Sequence, residues 1–231
     1  PARAKAKQTS RPIPLEPPVT IATLPSRFSF EMLSELIIHF ISILICIPKF
    51  NHFYMKKVLV WIGGDLFNLP LTYYLKKKCD LEIHAIADVT LHLKKYLENQ
   101  KLIKFNNLWF FQESASLNLK NPNLSYLKEI EKKYDLNLWE LINTERYFDP
   151  KINTYHKFSK EEILCIIENE CKFFEKILFD IKPEFLILYM PFFHYDFILY
   201  KMCKKLGIKV LLLGLARGFS NTALICEDYD K

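Results

Sequence analysis

From Met55 onward, hydrophobic and polar positions follow a pattern that predicts strands and helices in alternation. Five continuous apolar runs are typical of buried parallel strands, and they occupy residues 57–62, 81–87, 108–111, 183–190 and 209–215. The segments between them are predicted to be helical, at residues 66–78, 89–99, 122–134, 136–144, 159–180 and 196–206. Strands separated by helices form parallel sheets with right-handed crossovers. The pattern therefore predicts an α/β fold, a Rossmann-like doubly wound parallel sheet of about five strands in a single lobe.

Two local signals mark the ends of predicted helices. Ser159 and Glu162 have the spacing of a capping box, in which the hydroxyl and the carboxylate each bind a backbone amide of the first turn. Gly207 stands where the helix at residues 196–206 should end, and glycine favours the left-handed backbone that closes a helix.

Residues 1–54 have a different character. Six of the twelve prolines and four basic residues lie within residues 1–25, which predicts a disordered leader. The apolar run at residues 32–47 is shorter than the roughly 20 residues of a spanning helix, and it contains Glu35 and His39. Three interpretations stay open: a membrane anchor or signal, an amphipathic helix packed on the domain, or a stretch foreign to the native protein. A translation start at Met55 favours the last of these.

The predicted domain organisation follows from this contrast. Residues 1–54 form a Pro-rich leader with a hydrophobic segment, and residues 55–231 form the α/β lobe. The chain stops directly after an apolar run, so we expect this lobe to be truncated at its C-terminus.

Composition and charge narrow the class of protein. Half of the residues are hydrophobic and a quarter are charged, which is typical of a globular protein and not of a polytopic membrane protein. The net charge of +6 comes mainly from Lys, without a dense basic arm after residue 11, so nucleic acid is not an expected partner. The six cysteines lack the spacing of zinc ligands. We therefore expect small buried thiols in a reducing compartment, with neither disulfides nor a metal site.

In open parallel sheets, ligands bind beyond the carboxyl ends of the strands, where the strand order reverses. The residues that follow the predicted strands are therefore the candidates for a site: Gly63, Gly64 and Asp65; Asp88; residues 191–196; and residues 216–218.

The Gly63-Gly64-Asp65 turn precedes a predicted helix, so its bare amides could hold a phosphate or a sugar oxygen. It is neither a dinucleotide-binding glycine motif nor a P-loop, and a tight turn that needs glycine is the alternative. Asp65 could be a helix N-cap, or it could be a base or a ligand to a sugar hydroxyl.

Two histidines have different surroundings in the sequence. His194 lies in a loop between aromatic residues, two positions before Asp196, where an imidazole suits acid–base chemistry or phosphate binding. A satisfied, partly buried histidine is the alternative. His84 falls inside an apolar strand, which predicts a core position.

Arginine is rare in this chain, and two arginines stand near predicted loops. Arg217 follows the fifth strand and precedes Gly218, an arrangement that suits a bidentate contact to phosphate or carboxylate. Arg146 could do the same, or it could pair with Glu145 or Asp149 as a structural clamp.

Three stretches together resemble a known family. They are KVLVWIGGD at the first strand, YDLNLWELINTERYFDP with the long helix SKEEILCIIENECKFFEKIL, and IKPEFLILYMPFFHYDFILYKMCKKLGIKVLLLGLARG. Through them, residues 55–231 resemble the N-terminal portion of bacterial and archaeal surface-carbohydrate or capsular-polysaccharide biosynthesis proteins, which are similar to two-lobed (GT-B type) glycosyltransferases.

The resemblance implies that a sugar passes from a nucleotide sugar onto a growing glycan at the inner membrane face, in the cytoplasm, without a further cofactor. The first lobe of such enzymes handles the acceptor and a second lobe holds the nucleotide, so we expect this chain alone to be inactive. A catalytic base in this lobe would map to Asp65 or His194, while Arg217 and the Gly63 and Gly64 amides would steady anionic oxygens. Two alternatives stay open, a binding module without chemistry and an enzyme similar to a nucleotide-sugar epimerase.

Overall fold

The computed structural model describes residues 56–64, 66, 68–115, 121–215, 223–226 and 228–229. Six strands form one sheet: β1 (Lys56–Ile62), β2 (Leu81–Ala87), β3 (Asn107–Phe110), β4 (Phe185–Tyr189), β5 (Lys209–Leu215) and β6 (Ala223–Cys226). Their order is β3-β2-β1-β4-β5-β6, with the first five strands parallel and β6 antiparallel to β5. The predicted Rossmann-like sheet is therefore confirmed. The interpretations of residues 1–54 fall outside the described residues.

Seven helices are described: α1 (Asn68–Lys78), α2 (Leu91–Asn99), α3 (Phe111–Ala115), α4 (Leu124–Tyr134), α5 (Leu138–Thr144), α6 (Lys160–Ile181) and α7 (His194–Lys205). The capping box before α6 is confirmed: the Glu162 amide donates to the Ser159 hydroxyl, and the Ser159 amide donates to the Glu162 carboxylate. Gly207 lies just beyond α7 with φ of 73°, the left-handed conformation predicted for it. Phe111, predicted as the last residue of a strand, begins α3 instead.

Both faces of the sheet are covered, which explains why the strands are apolar throughout. On β1, Leu59 and Trp61 belong to the cluster shared with α4, α5, α6 and α7. Val58, Val60 and Ile62 point to the opposite face and pack with α1 and α2. A parallel sheet buried on both sides has no polar face, so the alternation typical of half-exposed strands is absent.

Residues 121–158 add a small helical unit on the α6 side of the sheet. The hydroxyls of Tyr126 and Tyr134 on α4 both donate to Glu175 on α6, each at 2.8 Å. Beyond α5, the chain runs back so that Glu145 reaches the first residue of α7. This unit therefore supplies a buried side chain next to the carboxyl end of β4.

The remaining sequence predictions concern individual side chains and the membrane. His84 is buried in β2, with its Nδ1 at 2.8 Å from Asn107 Oδ1, so the predicted core position is confirmed. The five cysteines within the described ranges form no disulfide with one another. In the part of the chain that the structure describes, no helix is long and apolar enough to cross a membrane.

Candidate functional site

A cleft of about 290 Å³ lies at the carboxyl ends of β1, β2 and β4. The chain goes from β1 to β2 and β3 on one side, and from β4 to β5 and β6 on the other, so the strand order reverses between β1 and β4. Crossovers leave in opposite directions at this point and open a crevice, which is where ligands bind in doubly wound sheets. The cleft therefore occupies the place that the sequence pattern nominated.

Asp88, just beyond β2, is held in the cleft by two neutral donors. Its Oδ2 accepts a hydrogen bond of 2.8 Å from the Tyr195 hydroxyl, and its Oδ1 accepts one of 3.1 Å from Gln112 Nε2. Burial and the negative charges of Asp88 and Asp196 raise the pKa of Tyr195, so this hydroxyl stays protonated and donates. These contacts fix the Asp88 carboxylate without neutralising it.

Asp196 is the second cleft carboxylate, and it is only 7% exposed. Its Oδ2 accepts hydrogen bonds from the backbone amides of Phe192 and Phe193, at 3.1 and 3.0 Å, and so caps the start of α7. Burial raises the pKa of Asp196 to about 6; it outweighs the lowering by the two amide hydrogen bonds, while the charge of Asp88 adds a smaller increase and that of His194 a still smaller decrease. This carboxyl therefore changes its protonation state near neutral pH, as a general base should.

Asn68, the first residue of α1, forms the third polar group of the cleft and is 3% exposed. Its Nδ2 donates to the Trp61 carbonyl at 2.6 Å, across the turn that joins β1 to α1. Its Oδ1 is buried and has no hydrogen-bond partner among the described residues. A buried acceptor of this kind is uncommon, since most such atoms are satisfied by protein, water or ligand.

Gly63 and Gly64 line the cleft between β1 and α1. The Leu66 amide donates to the Gly63 carbonyl at 2.9 Å, and the left-handed residue of this turn is Leu66, with φ of 54°. Gly64 has no positive φ, and a Cβ there would meet nothing within 4 Å. The turn therefore does not require glycine at position 64, and the missing side chain leaves open space in the cleft.

An aromatic wall forms the other side of the cleft. Trp61 and Tyr195 stack with their ring centroids 5.7 Å apart, and Tyr195 stacks in turn on Phe193 at 5.2 Å. Trp61 is buried, whereas Phe193 and its neighbour Phe192 are 39% and 70% exposed. The stack thus runs from the core to the mouth of the cleft and ends on exposed rings.

His194 lies outside this cleft, in a buried cluster with two carboxylates. Its Nδ1 is 2.8 Å from Glu145 Oε2, and its Nε2 is 3.1 Å from Glu170 Oε1. The His194 amide also donates to Glu145 Oε2, at 2.9 Å. Both ring nitrogens are therefore engaged by carboxylates, and the side chain has the buried, satisfied environment that was the alternative to a catalytic role.

The charges in this cluster stabilise one another. Burial by itself would lower the pKa of His194, but Glu170 and Glu145 outweigh it and raise that pKa to about 9. Burial would likewise raise the pKa of Glu145, yet hydrogen bonds from His194 and from the amides of Tyr147 and His194 lower it to about 2. At neutral pH the cluster is an imidazolium between carboxylates.

The other predicted site residues divide into those described and those not. Arg146 is exposed, next to Glu145, and it does not line the cleft. Its predicted clamp partner Glu145 is bound to His194 instead. Asp65, Arg217 and Gly218 lie outside the described residues, although β5 ends at Leu215 on the same edge of the sheet as the cleft.

A larger groove of about 640 Å³ lies at the opposite edge of the sheet, beside the amino ends of β4 and β5. Its lining includes Phe179 and Leu206, which are 75% and 50% exposed. The strand-end rule favours the smaller cleft, because only there do crossovers in opposite directions converge.

Sequence reasoning did not single out Asn68 or Glu170, named Glu145 only as a possible partner of Arg146, and included Tyr195 only within the candidate range 191–196. A signal existed for Glu170, which falls in the helical series Ile163, Ile167, Phe174 and Ile177 that marks the buried face of α6. A carboxylate at such a position needs a cation or strong donors. The contacts of Glu145 and Tyr195 are distant in sequence, whereas Asn68 bonds Trp61 within the same turn, and no local pattern marks any of the three.

Comparisons with known proteins leave the function to be inferred from the site. No protein-family model matches the chain, and no curated protein matches its sequence. Among solved structures, a crystal structure of UDP-N-acetylglucosamine 2-epimerase is similar, with 17% sequence identity and a TM-score of 0.38. The match covers 72% of this chain and 35% of that chain, so the chain spans about a third of the length of this neighbour.

Proposed function

We propose that this chain is the acceptor-side lobe of a glycosyltransferase-like protein in surface or capsular polysaccharide biosynthesis. The observation that carries the proposal is Asp196, a cleft carboxyl whose pKa is raised to about 6. It stands at the reversal of strand order in a Rossmann-like sheet, beside a second carboxylate and an aromatic wall. A cleft of this kind suits an uncharged acceptor that must lose a proton.

The proposed step is a displacement at the anomeric carbon of a nucleotide sugar. An acceptor hydroxyl gives its proton to Asp196 while its oxygen forms a bond to the anomeric carbon. The bond between that carbon and the diphosphate oxygen breaks, and the nucleoside diphosphate leaves with the bonding electrons. Asp196 accepts one proton and returns it to solvent, so the step is balanced without an oxidant or reductant.

The other predicted site residues take supporting parts in this proposal. The Gly63 and Gly64 amides, with Arg217 and Gly218, would steady the anionic oxygens of the donor, and Asp65 is the second candidate for the base. His194 acts as a positioning residue, since it fixes the start of the helix that carries Asp196. Arg146, on the surface, is a candidate contact to the donor or the membrane.

The proposed setting is the inner face of the membrane, with a second lobe that holds the nucleotide. The net charge of +6 supports peripheral contact with anionic lipid. The growing glycan and the nucleotide sugar are the proposed partners.

The test is a titration on the full 231-residue chain, followed by a turnover assay with a nucleotide-binding lobe supplied, because we expect the chain alone to be inactive. Short oligosaccharides and a panel of nucleotide sugars are titrated by calorimetry, and glycosyl transfer is followed chromatographically. We expect saturable oligosaccharide binding, with Asp196→Asn reducing any turnover more than it reduces binding. The matched control is Asp180→Asn, the same charge change on the exposed end of α6.

The outcomes separate the alternatives. Sugar binding without turnover, even when a nucleotide-binding lobe is supplied, assigns the chain to the class of binding modules. Inversion of the configuration at a sugar carbon of the nucleotide sugar, without any acceptor, would assign the chain to the class of epimerase-like enzymes. If no sugar and no nucleotide sugar binds, the proposed function is wrong.

A further inference from the structure

Three polar side chains of the cleft offer hydrogen-bond acceptors, and the hydroxyl of Tyr195 is already donated to Asp88. Asp88 and Asp196 contribute carboxylates, and Asn68 contributes an unsatisfied amide oxygen. Among the described residues that line the cleft there is no Lys or Arg. A phosphate placed here would meet like charge, whereas a group with O–H donors would meet partners.

The orientation of the Asn68 amide is fixed by its surroundings. Its Nδ2 faces the Trp61 carbonyl at 2.6 Å, and a carbonyl only accepts. Turning the amide over would place two oxygens against each other, so Oδ1 must be the atom left without a partner. Because Asn68 is also 3% exposed, its unsatisfied oxygen costs stability until a donor meets it.

Space and apolar surface accompany these acceptors. The absent side chain at Gly64 leaves open volume, and the cleft of about 290 Å³ is large enough for one sugar ring. The exposed face of Phe193 continues the stack from Trp61 and Tyr195. Aromatic faces carry partial negative charge, which attracts the C–H groups of a sugar ring.

We propose that the inner wall of the cleft, formed by Asn68, Asp88 and Asp196, recognises the hydroxyl groups of an uncharged sugar ring. The ring's hydroxyls donate to the two carboxylates and to Asn68 Oδ1, and its C–H face rests on the aromatic wall. This inference rests on the proposed function and adds to it the chemistry by which this part of the site selects its ligand. Phosphate, if it binds, belongs outside this inner wall.

The test combines nuclear magnetic resonance with calorimetry on the full chain. The probes are the methyl glycosides of glucose, galactose and mannose, inorganic phosphate, UDP and UDP-glucose. The side-chain amide of Asn68 serves as the reporter, because a hydrogen bond accepted by Oδ1 shifts the resonances of the attached NH₂. The neutral glycosides distinguish an acceptor sugar, and UDP-glucose compared with UDP distinguishes a donor sugar.

We expect at least one methyl glycoside or UDP-glucose to shift the Asn68 amide saturably, while phosphate and UDP leave it unchanged. Asp88→Asn and Asp196→Asn should each weaken that binding by about tenfold, since a hydrogen bond to a charged acceptor is stronger than one to a neutral acceptor. Asp180→Asn, outside the cleft, should leave the affinity unchanged.

Three results would overturn the inference, and they differ in what they say about the proposed function. Phosphate that shifts Asn68 in place of any sugar refutes sugar recognition here. A sugar that binds without shifting Asn68 refutes this inner wall and leaves the proposed function standing. If neither sugars nor nucleotide sugars bind at all, both the inference and the proposed function fail.

Discussion

His194 and Asp196 lie two residues apart at the start of α7, but they belong to two regions that differ in how buried carboxylates are compensated. In the buried cluster, His194 lies between Glu145 and Glu170, and the positive ring compensates the two carboxylates. In the cleft, Asp88 and Asp196 accept hydrogen bonds from neutral donors, and the charge of His194 is the weakest of the influences on the pKa of Asp196. The pKa of Glu145 is accordingly lowered to about 2, whereas that of Asp196 is raised to about 6.

The comparison distinguishes a buried charge that stabilises the fold from a buried charge that is available to bind a ligand. A buried charge that is paired contributes to a unique structure, and removing one partner is strongly destabilising. A buried charge without a cation costs stability and is retained where function needs it. The buried cluster anchors the start of α7, and the cleft makes use of that anchoring.

The largest effect should come from removing the cation of the buried cluster. His194→Ala leaves Glu145 and Glu170 buried without a positive partner, so we expect the free energy of unfolding to fall by about 3–5 kcal/mol. Urea denaturation measures it. His156→Ala is the control, because His156 pairs with Glu162 at the surface and should change stability by less than about 1 kcal/mol. If both substitutions lowered the free energy of unfolding equally, the buried cluster would be no more stabilising than a surface pair, and its contrast with the cleft would be lost.

The same cluster predicts how stability depends on pH. His194 has a folded pKa of about 9 against an ordinary value of 6.5, so between these values the folded chain binds more protons than the unfolded chain. The stabilisation is complete below pH 6.5 and is lost as pH rises through 9. We expect a loss of up to about 3 kcal/mol over this interval by urea denaturation. His194→Gln should abolish most of this slope, and an unchanged slope in that variant would contradict the assignment.

Asp196→Asn should change the free energy of unfolding less than His194→Ala does, and it should raise it rather than lower it. The folded carboxyl keeps its proton to about pH 6 whereas the unfolded one releases it near 3.8, so Asp196 reduces stability as pH rises between these values. At pH 7 to 8, the neutral amide should therefore raise the free energy of unfolding by about 1 kcal/mol. Asp180→Asn at the exposed end of α6 is the matched control. A clear loss of stability in Asp196→Asn would mean that capping α7 is its main role.

Of the substitutions considered, Gly64→Ala should change the free energy of unfolding least, and its main effect should be on sugar binding. The new Cβ meets nothing within 4 Å and the backbone there has no positive φ, so we expect a change within about 1 kcal/mol. The added methyl group occupies cleft volume and should weaken sugar binding. Thermal unfolding and calorimetry measure the two effects. Gly207→Ala, at φ of 73°, is the control that should lose stability without affecting the cleft.

The sheet could be predicted from the sequence because its strands are buried on both faces and therefore read as apolar runs. The errors lie where that rule gives no information. Phe111 continues an apolar run into α3, and β6 is a short antiparallel strand that follows a segment without a strong pattern. The strand order determines which loops meet, and the reversal of that order between β1 and β4 places Asp88 and Asp196 in one cleft.

The buried cluster was beyond sequence reasoning because its members come from three separate elements. Glu145 lies 49 residues before His194, and the loop after α5 sets their contact. Asn68 shows the same limit at short range, since its orphaned oxygen depends on which atom of the amide faces Trp61. The ends of the strands indicate where a site lies, whereas tertiary contacts determine which side chains there are paired.

One measurement tests the contrast between the two regions most directly: a carbon-13 NMR titration of the Asp196 side-chain carboxyl in the full chain. The account predicts a midpoint near pH 6, well above the ordinary 3.8, because the carboxyl is buried beside Asp88. A midpoint at or below 3.8 would contradict it, since Asp196 would then be as well compensated as Glu145, and the cleft would lose its base.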